Sequence, residues 1–468
     1  IENCKEADII FMPYNYLIDA NIRPPTVNIN NSIVIFDEAH NIESVCCDSV
    51  SFELKAEILA QCIAEVQQIL ELNKPNDQCL ASKEDLTGLK KILLKLEEVI
   101  EQIPIPTPRP SGNGMNNEQP SVIHPGAYIF EILEEADINQ ESKDNIIDVA
   151  QDVLRELVSP EAEQTVSLTT SNQTRNASKY GLETFVKALQ TIFSGRFNSD
   201  SFKVHLTIKK QRDTYFEVSS SRHLSLWCFN PGIAICGLKH DVHAMILTSG
   251  TLSPLQSFSS ELQISFPIRL ENKHLISAKQ VYIGVLEKGP CSRVLSSEYT
   301  IRNTPDYMKE LGNSLVNIAR RIPFGMLVFF ASYKHMEDCI EFWHKNRLGN
   351  LSIMEQLQKN KHVVTEPRGG GQSAVKLVFE EYSNALQERH GAMLMAVMRG
   401  KVSEGMDFSD NFARCVVICG IPYPYMNDPK IKEKRNYMDQ QCCKHNHQKQ
   451  QPAQTGRGQQ NEDMLFAT

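Results

Sequence analysis

Four β-formers, Ile33-Val34-Ile35-Phe36, run directly into Asp37-Glu38-Ala39-His40. This junction constrains the fold more tightly than any other stretch. An unbroken apolar run of that length suits a strand buried on both faces of a parallel sheet, with helices packed above and below. The abrupt change to acid puts two carboxylates at the strand's C-terminal edge, where open α/β sheets bind their ligands. An acidic turn ending a strand accounts for a lone Asp-Glu pair better than for a full tetrapeptide behind four β-formers.

The same punctuation recurs along the chain. Met245-Ile246-Leu247 precedes Thr248-Ser249-Gly250-Thr251, and AMLMAVM (392–398) precedes Arg399-Gly400-Lys401-Val402-Ser403-Glu404-Gly405-Met406-Asp407. Further apolar runs, ADIIF (7–11), FKVHLTI (202–208), LSLWCF (224–229), GMLVFFAS (325–332) and CVVICGI (415–421), also read as strands. Helical patterns over 306–320 and 334–345 separate the later ones. Strands alternating with helices predict an α/β fold with doubly wound parallel sheets. Between the first two motifs, apolar stripes over 53–73, 86–102, 126–136, 142–158 and 181–194 predict helices. A turn-rich loop, PIPTPRPSGNGMNNEQP (104–120), interrupts them. This helical block reads as an insertion, and KHNHQKQQPAQTGRGQQNED (444–463) as a low-complexity tail.

Charge divides the chain along the same lines. Residues 1–200 hold 15 Lys/Arg against 32 Asp/Glu, a charge of −17; residues 201–468 hold 33 against 25, or +8. The total of −9 argues against a protein that simply coats nucleic acid, but the basic half leaves room for phosphate contacts. No apolar run reaches the roughly 20 residues that cross a bilayer, so no membrane partner is expected. Thirteen scattered cysteines fit reduced thiols in cytosol or nucleus. Cys442, Cys443, His445 and His447 lack zinc-finger spacing.

Phosphoanhydride hydrolysis needs Mg²⁺ held by a carboxylate at a strand end and a second carboxylate beside the attacking water. Asp37 fits the metal role and Glu38 the water role, with His40 completing the motif. The hydroxyls of Thr248, Ser249 and Thr251, with Gly250 for the turn, stand where they can hydrogen-bond that acidic motif and relay nucleotide state. Arg399, Gly400, Lys401, Ser403, Glu404, Gly405 and Asp407 put mixed charges on a glycine-rich loop suited to phosphate, ribose or a DNA backbone. Taken singly, the last two read as ordinary turns and charged loops. Arg368-Gly369-Gly370-Gly371 lacks the Lys-Ser/Thr of a phosphate loop and reads as a surface loop.

Three such motifs in this order resemble a superfamily 2 helicase with a DEAH box. ADIIFMPYNYLIDA, IVIFDEAHNIE, LTSGTLSP and RGKVSEGMDFSD resemble the iron–sulfur DNA helicases related to the xeroderma pigmentosum group D protein. HPGAYIFEILEEADI, ISFPIRLENKHLI and IPFGMLVFFASY are most similar to the telomere-elongation-regulating branch, and the likeness is read over about residues 1–440. The resemblance implies two RecA-like lobes, both incomplete here: 1–45 and 196–253 in the first, 254–440 in the second. An arch would occupy 46–195 and a disordered tail 441–468. It implies ATP and Mg²⁺ as cofactors, with ATP between the lobes and DNA between arch and core. It further implies 5′-to-3′ translocation on single-stranded DNA, and action on displacement loops, telomeric loops and G-quadruplexes in the nucleus, with replication and repair proteins as partners.

The chain departs from that pattern in three places. It has no GxxxxGK[ST] loop; it has no QxxGRxxR motif, which Gln454-Thr455-Gly456-Arg457 imitates with the wrong spacing; and Cys4 lacks the setting of a cluster ligand. A [4Fe-4S] cluster is therefore expected only in a longer protein. The chain reads as a fragment that is inactive alone, since an arginine finger by itself contributes about 10³–10⁵ in rate. A non-catalytic DNA- or protein-binding module derived from such a helicase is the second reading. A hydrolase of small phosphates explains neither the insertion nor the motif order.

Overall fold

The computed structural model describes residues 7–19, 22–24, 26–71, 80–106, 119–158, 180–212, 218–274, 276–348, 350–369, 371–387, 391–400, 402, 406–424 and 426–450. The chain divides into two compact units. The first comprises Ile1–Glu271 with Lys432–Thr468, and the second Asn272–Ile431.

Among the described residues the first unit contains six strands, β1 (Ile33–Phe36), β2 (Phe52–Lys55), β3 (Ser121–Pro125), β4 (Phe202–Arg212), β5 (Val218–Cys228) and β6 (Ala244–Leu247). They form two sheets of different character. β1 and β6 pair in parallel, with Ile33 opposite Ala244 and Phe36 opposite Leu247, so two segments some 200 residues apart end side by side. Val34 and Phe36 point into a core with Ile42, Cys46, Ile235 and Leu238, supplied by helices Ile42–Ser49 and Gly232–Asp241. Ile33 and Ile35 are each 63% exposed. The expectation of a strand buried on both faces is therefore corrected: helices cover only the Val34/Phe36 side of this two-stranded sheet. ADIIF likewise forms no strand, and among the described residues the first regular element is helix Tyr14–Ile18.

The second sheet is antiparallel, in the order β2-β5-β4-β3. It shares one core with helices Ala56–Glu71, Lys83–Gln102, Tyr128–Glu135, Lys143–Leu157 and Gly181–Ile192. Their apolar positions recur at helical spacing, as in Leu86, Leu89, Leu93, Leu96 and Ile100, which are all buried. Glu65 locks two of these helices together. Its carboxylate accepts the N–H groups of Gly181 and Leu182, which a helix start leaves unpaired. The sequence reading ended the insertion at 195, yet Phe202, Val204, Leu206, Leu224, Leu226 and Cys228 belong to its core. We therefore propose an insertion that extends to about residue 230.

The second unit holds β7 (Met326–Phe330), the short hairpin β8 (Arg347–Leu348) and β9 (Leu351–Ser352), β10 (His362–Thr365), β11 (Ala392–Val397) and β12 (Cys415–Cys419). Four of them form a parallel sheet ordered β10-β11-β7-β12. β11 is buried along its whole length, as its continuous apolar run requires. One face packs on helices Pro305–Ala319, Tyr333–Lys345 and Ile353–Asn360 around Trp343, and the other on helix Gln372–Leu386 around Tyr382. Helix starts follow the local rules: Thr304, Ser332 and Ser352 each accept a backbone N–H as caps, and Ser352 with Glu355 completes a capping box.

Helix Pro429–Gln450 continues through residues 441–450, where the sequence predicts a disordered tail; residues 451–468 lie outside the described residues. From Lys432 the chain packs on the first unit. Lys434 pairs with Glu43 at 2.7 Å, and the Tyr437 ring is buried near Phe229. Among the described residues no helix is long and apolar enough to cross a membrane. Burial pushes the Cys46 and Cys419 thiols up to about 12, so neither is a thiolate at neutral pH.

His335, 2% exposed between Tyr307 and Phe330, is held down to about pKa 4, first by burial and then by the Arg302 charge. The unfolded chain takes up this proton below about pH 6.5, while the folded chain refuses it until about pH 4. Stability should therefore fall by up to ~3 kcal/mol as pH drops through that window. His335→Gln should flatten this part of the stability–pH profile in urea unfolding. An unaltered slope would show that His335 does not set it.

Candidate active-site elements

The acidic motif sits where β1 ends. Phe36 C=O accepts the Thr248 N–H and Thr248 C=O accepts the Ala39 N–H, both at 2.9 Å, so the β1–β6 ladder continues into both motifs. Glu38 adopts a left-handed conformation (φ 49°, ψ 45°), and its N–H donates to Asp37 Oδ1 at 3.1 Å. This kink turns the chain into the short helical turn Ala39–Asn41. Such a backbone is uncommon for a residue with a Cβ and persists only where its surroundings hold it.

The side chains meet across the two strands. Ser249 Oγ donates to Glu38 Oε2 at 2.7 Å, and His40 Nδ1 lies 3.2 Å from both Ser249 Oγ and Glu38 Oε2. Thr251 N–H donates to Ser249 Oγ at 3.3 Å. A serine hydroxyl has one proton and two lone pairs. Once that proton goes to Glu38, the oxygen remains an acceptor for Thr251 and for a protonated His40 Nδ1. The structure thus brings Asp37, Glu38, His40, Thr248, Ser249 and Thr251 into one cluster. Tyr14 also belongs there, edge-on to Phe36 with ring centroids 5.5 Å apart. Burial, then the Asp37 and Glu38 charges, push its phenol above the ordinary range. Its segment, ADIIFMPYNYLIDA, carries the resemblance, but nothing local in it shows that Tyr14 faces the acidic motif.

The third motif lies in the second unit, at the C-terminal end of β11. Gly400 N–H donates to Val397 C=O at 3.0 Å, closing a turn in which Arg399 is left-handed (φ 61°) with its side chain exposed. Asp407 caps its own loop, accepting the Ser409 N–H at 3.0 Å and hydroxyl at 3.1 Å. Lys401, Ser403, Glu404 and Gly405 lie outside the described residues. Two residues outside the three motifs support the turn from within. Buried Glu366 accepts the Val397 N–H at 2.9 Å and the Tyr333 hydroxyl at 3.0 Å. Burial, then the bond to Glu366, push the Tyr333 phenol up to about 12. Cys4 lies outside the described residues, among which no group of three or more His, Cys, Asp or Glu could hold a metal ion.

Three family models match in succession. One described as DEAD_2 covers residues 2–59, "RTEL1 helicase, ARCH domain" covers 56–231, and "Helicase C-terminal domain" covers 315–460. Regulator of telomere elongation helicase 1 homologs of Arabidopsis thaliana and Oryza sativa subsp. japonica are 40% and 39% identical over 93% and 94% of this chain. Over almost its whole length the chain is similar to regulators of telomere elongation helicase. The Homo sapiens regulator of telomere elongation helicase 1 is 34% identical over 93% of this chain. This chain spans 41%, 44% and 37% of those three relatives, less than half of each. A solved structure titled "Structure of S. tokodaii Xpd4" aligns at 16% identity and a TM-score of 0.48, over 94% of this chain and 72% of that one. The fold is α/β, with parallel-sheet lobes and an inserted arch. The arch model ends at 231, matching the core that runs to Cys228, and the C-terminal helicase match continues 20 residues beyond 440.

Proposed function

We propose that the full-length gene product is an ATP-dependent DNA helicase that moves 5′ to 3′ on single-stranded DNA. It acts in the nucleus on displacement loops, telomeric loops and G-quadruplexes, in telomere maintenance and repair. The observation that carries this reading is the Glu38 carboxylate held by Ser249 across β1 and β6. A carboxylate so oriented, beside a second one at a strand's C-terminal edge, can take a proton from water attacking a phosphoanhydride.

In this reading Asp37 is the Mg²⁺ ligand. Its carboxylate is exposed and an oxygen donor, the ligand type Mg²⁺ prefers, and one oxygen is already oriented by the Glu38 N–H. When bound, Mg²⁺ would neutralise charge developing on the transferred phosphoryl group. Ser249 orients Glu38, and His40 Nδ1 lies within hydrogen-bond distance of both. Arg399, presented at the C-terminal end of β11 in the parallel sheet of the second unit, offers a cation to phosphate of nucleotide or DNA. The described residues supply no ligand set for an iron–sulfur cluster, and no step depends on one. The test is DNA-stimulated ATP hydrolysis by the purified full-length gene product. Stimulation by single-stranded DNA is expected, and a product that hydrolyses no ATP with or without DNA overturns the reading.

A further inference from the structure

We propose that Glu366, a residue outside all three motifs, is the positioning residue that fixes Arg399 at the C-terminal end of β11 in the parallel sheet of the second unit. Glu366 follows β10, and its own N–H extends the ladder to Met395 C=O at 2.9 Å. Its side chain then reaches across β11. Oε2 accepts the Val397 N–H at 2.9 Å, before the turn, and Oε1 accepts the Val402 N–H at 3.4 Å, after it. One carboxylate therefore pins both ends of the segment that carries Arg399. The Tyr333 hydroxyl, from the helix after β7, donates to Oε1 at 3.0 Å and fixes the carboxylate in turn.

The turn is built around this group. A Cβ at Gly400 would lie 2.9 and 3.0 Å from the Glu366 oxygens and 2.8 Å from Val397 C=O, so only glycine lets the backbone close over the carboxylate. Val402 is buried beneath the turn and Arg399 is exposed above it. Glu366 itself is 3% exposed. A buried carboxylate without its donors is expensive, so releasing the turn exposes an unsolvated charge and two unpaired amides together. That penalty gives the turn one stable position. Glutamine has nearly the same shape but only one acceptor oxygen, and its NH₂ would confront an N–H or O–H donor.

The inference rests on the reading of Arg399 as a phosphate-facing residue, and its test separates the two. In the full-length gene product, wild type, Glu366→Gln, Gly400→Ala and Tyr333→Phe would be compared by amide hydrogen exchange over 397–402. DNA-stimulated kcat, KM for ATP and Tm would be measured alongside. Glu366→Gln and Gly400→Ala should each speed exchange at Val397 and Val402 and lower kcat by about 100-fold, the scale of a misplaced catalytic contact, with Tm within a few degrees of wild type. Tyr333→Phe, which leaves both backbone bonds, should lower kcat by only a few-fold. Unchanged exchange in Glu366→Gln overturns the positioning role. So does a kcat loss that merely tracks a fall in Tm. Wild type without ATPase activity overturns the helicase reading, while exchange still reports whether Glu366 holds the turn.

Discussion

Replacing Glu38 by Gln in the full-length gene product should lower DNA-stimulated ATP turnover by about 10²–10⁴-fold, the usual contribution of a general base. Nucleotide affinity should stay within a few-fold of wild type. The amide keeps an oxygen to accept the Ser249 hydroxyl at the position now 2.7 Å away, so the cluster's geometry survives the change. What disappears is basicity, which matters only as the water is deprotonated. A loss confined to kcat is the signature of an interaction made in the transition state. Ser249→Ala should give a smaller loss, roughly tenfold, because it frees Glu38 without removing its charge. Turnover unchanged in Glu38→Gln would remove Glu38 from this role.

Trp343→Ala should destabilise the second unit by about 3–5 kcal/mol, the range for truncating a fully buried large aromatic. Trp343 is 0% exposed among Leu315, Phe330, Met336 and Ile353, and its indole N–H donates to Met308 C=O at 2.7 Å. Truncation thus opens a cavity and removes the hydrogen bond from the indole to Met308 C=O. Gly312 lies so close that a Cβ there would be 2.5 Å from the indole nitrogen, so the helix carrying Met308 was fitted to this ring. For a unit of this size the loss corresponds to a fall in Tm of about 10 °C. Differential scanning calorimetry should show the transition assigned to 272–431 moving down while that of the arch stays in place. A shift under 2 °C would mean that the ring is not packed as described.

Much of the fold was legible because its signals are local. β7, β11 and β12 announce themselves as apolar runs, and the helices by their stripes. The Asp37–His40 and Thr248–Thr251 segments stood out because each follows such a run. What could not be read locally is which strand joins which. FKVHLTI and LSLWCF read as strands of the returning first lobe, and they pair with Ser121–Pro125 and Phe52–Lys55 in one antiparallel sheet; such partners are chosen by tertiary packing. The exposure of Ile33 and Ile35 escaped for the same reason: an apolar run does not say how many of its faces are covered. Glu366, in the polar stretch Thr365-Glu366-Pro367-Arg368, looks like any solvated acid; only the folded β10–β11 edge buries it and turns it toward two amides. Tyr14 and Tyr333 lie in segments that carry the resemblance, but a tyrosine's neighbours in space leave no mark on its neighbours in sequence, so their contacts could not be read there.

The most direct measurement is strand separation by the full-length gene product on two duplexes that differ only in carrying a 5′ or a 3′ single-stranded tail. The expected result is ATP-dependent unwinding of the 5′-tailed duplex alone, abolished by Glu38→Gln. Unwinding of the 3′-tailed duplex alone, unwinding retained in Glu38→Gln, or no unwinding of either duplex would contradict it.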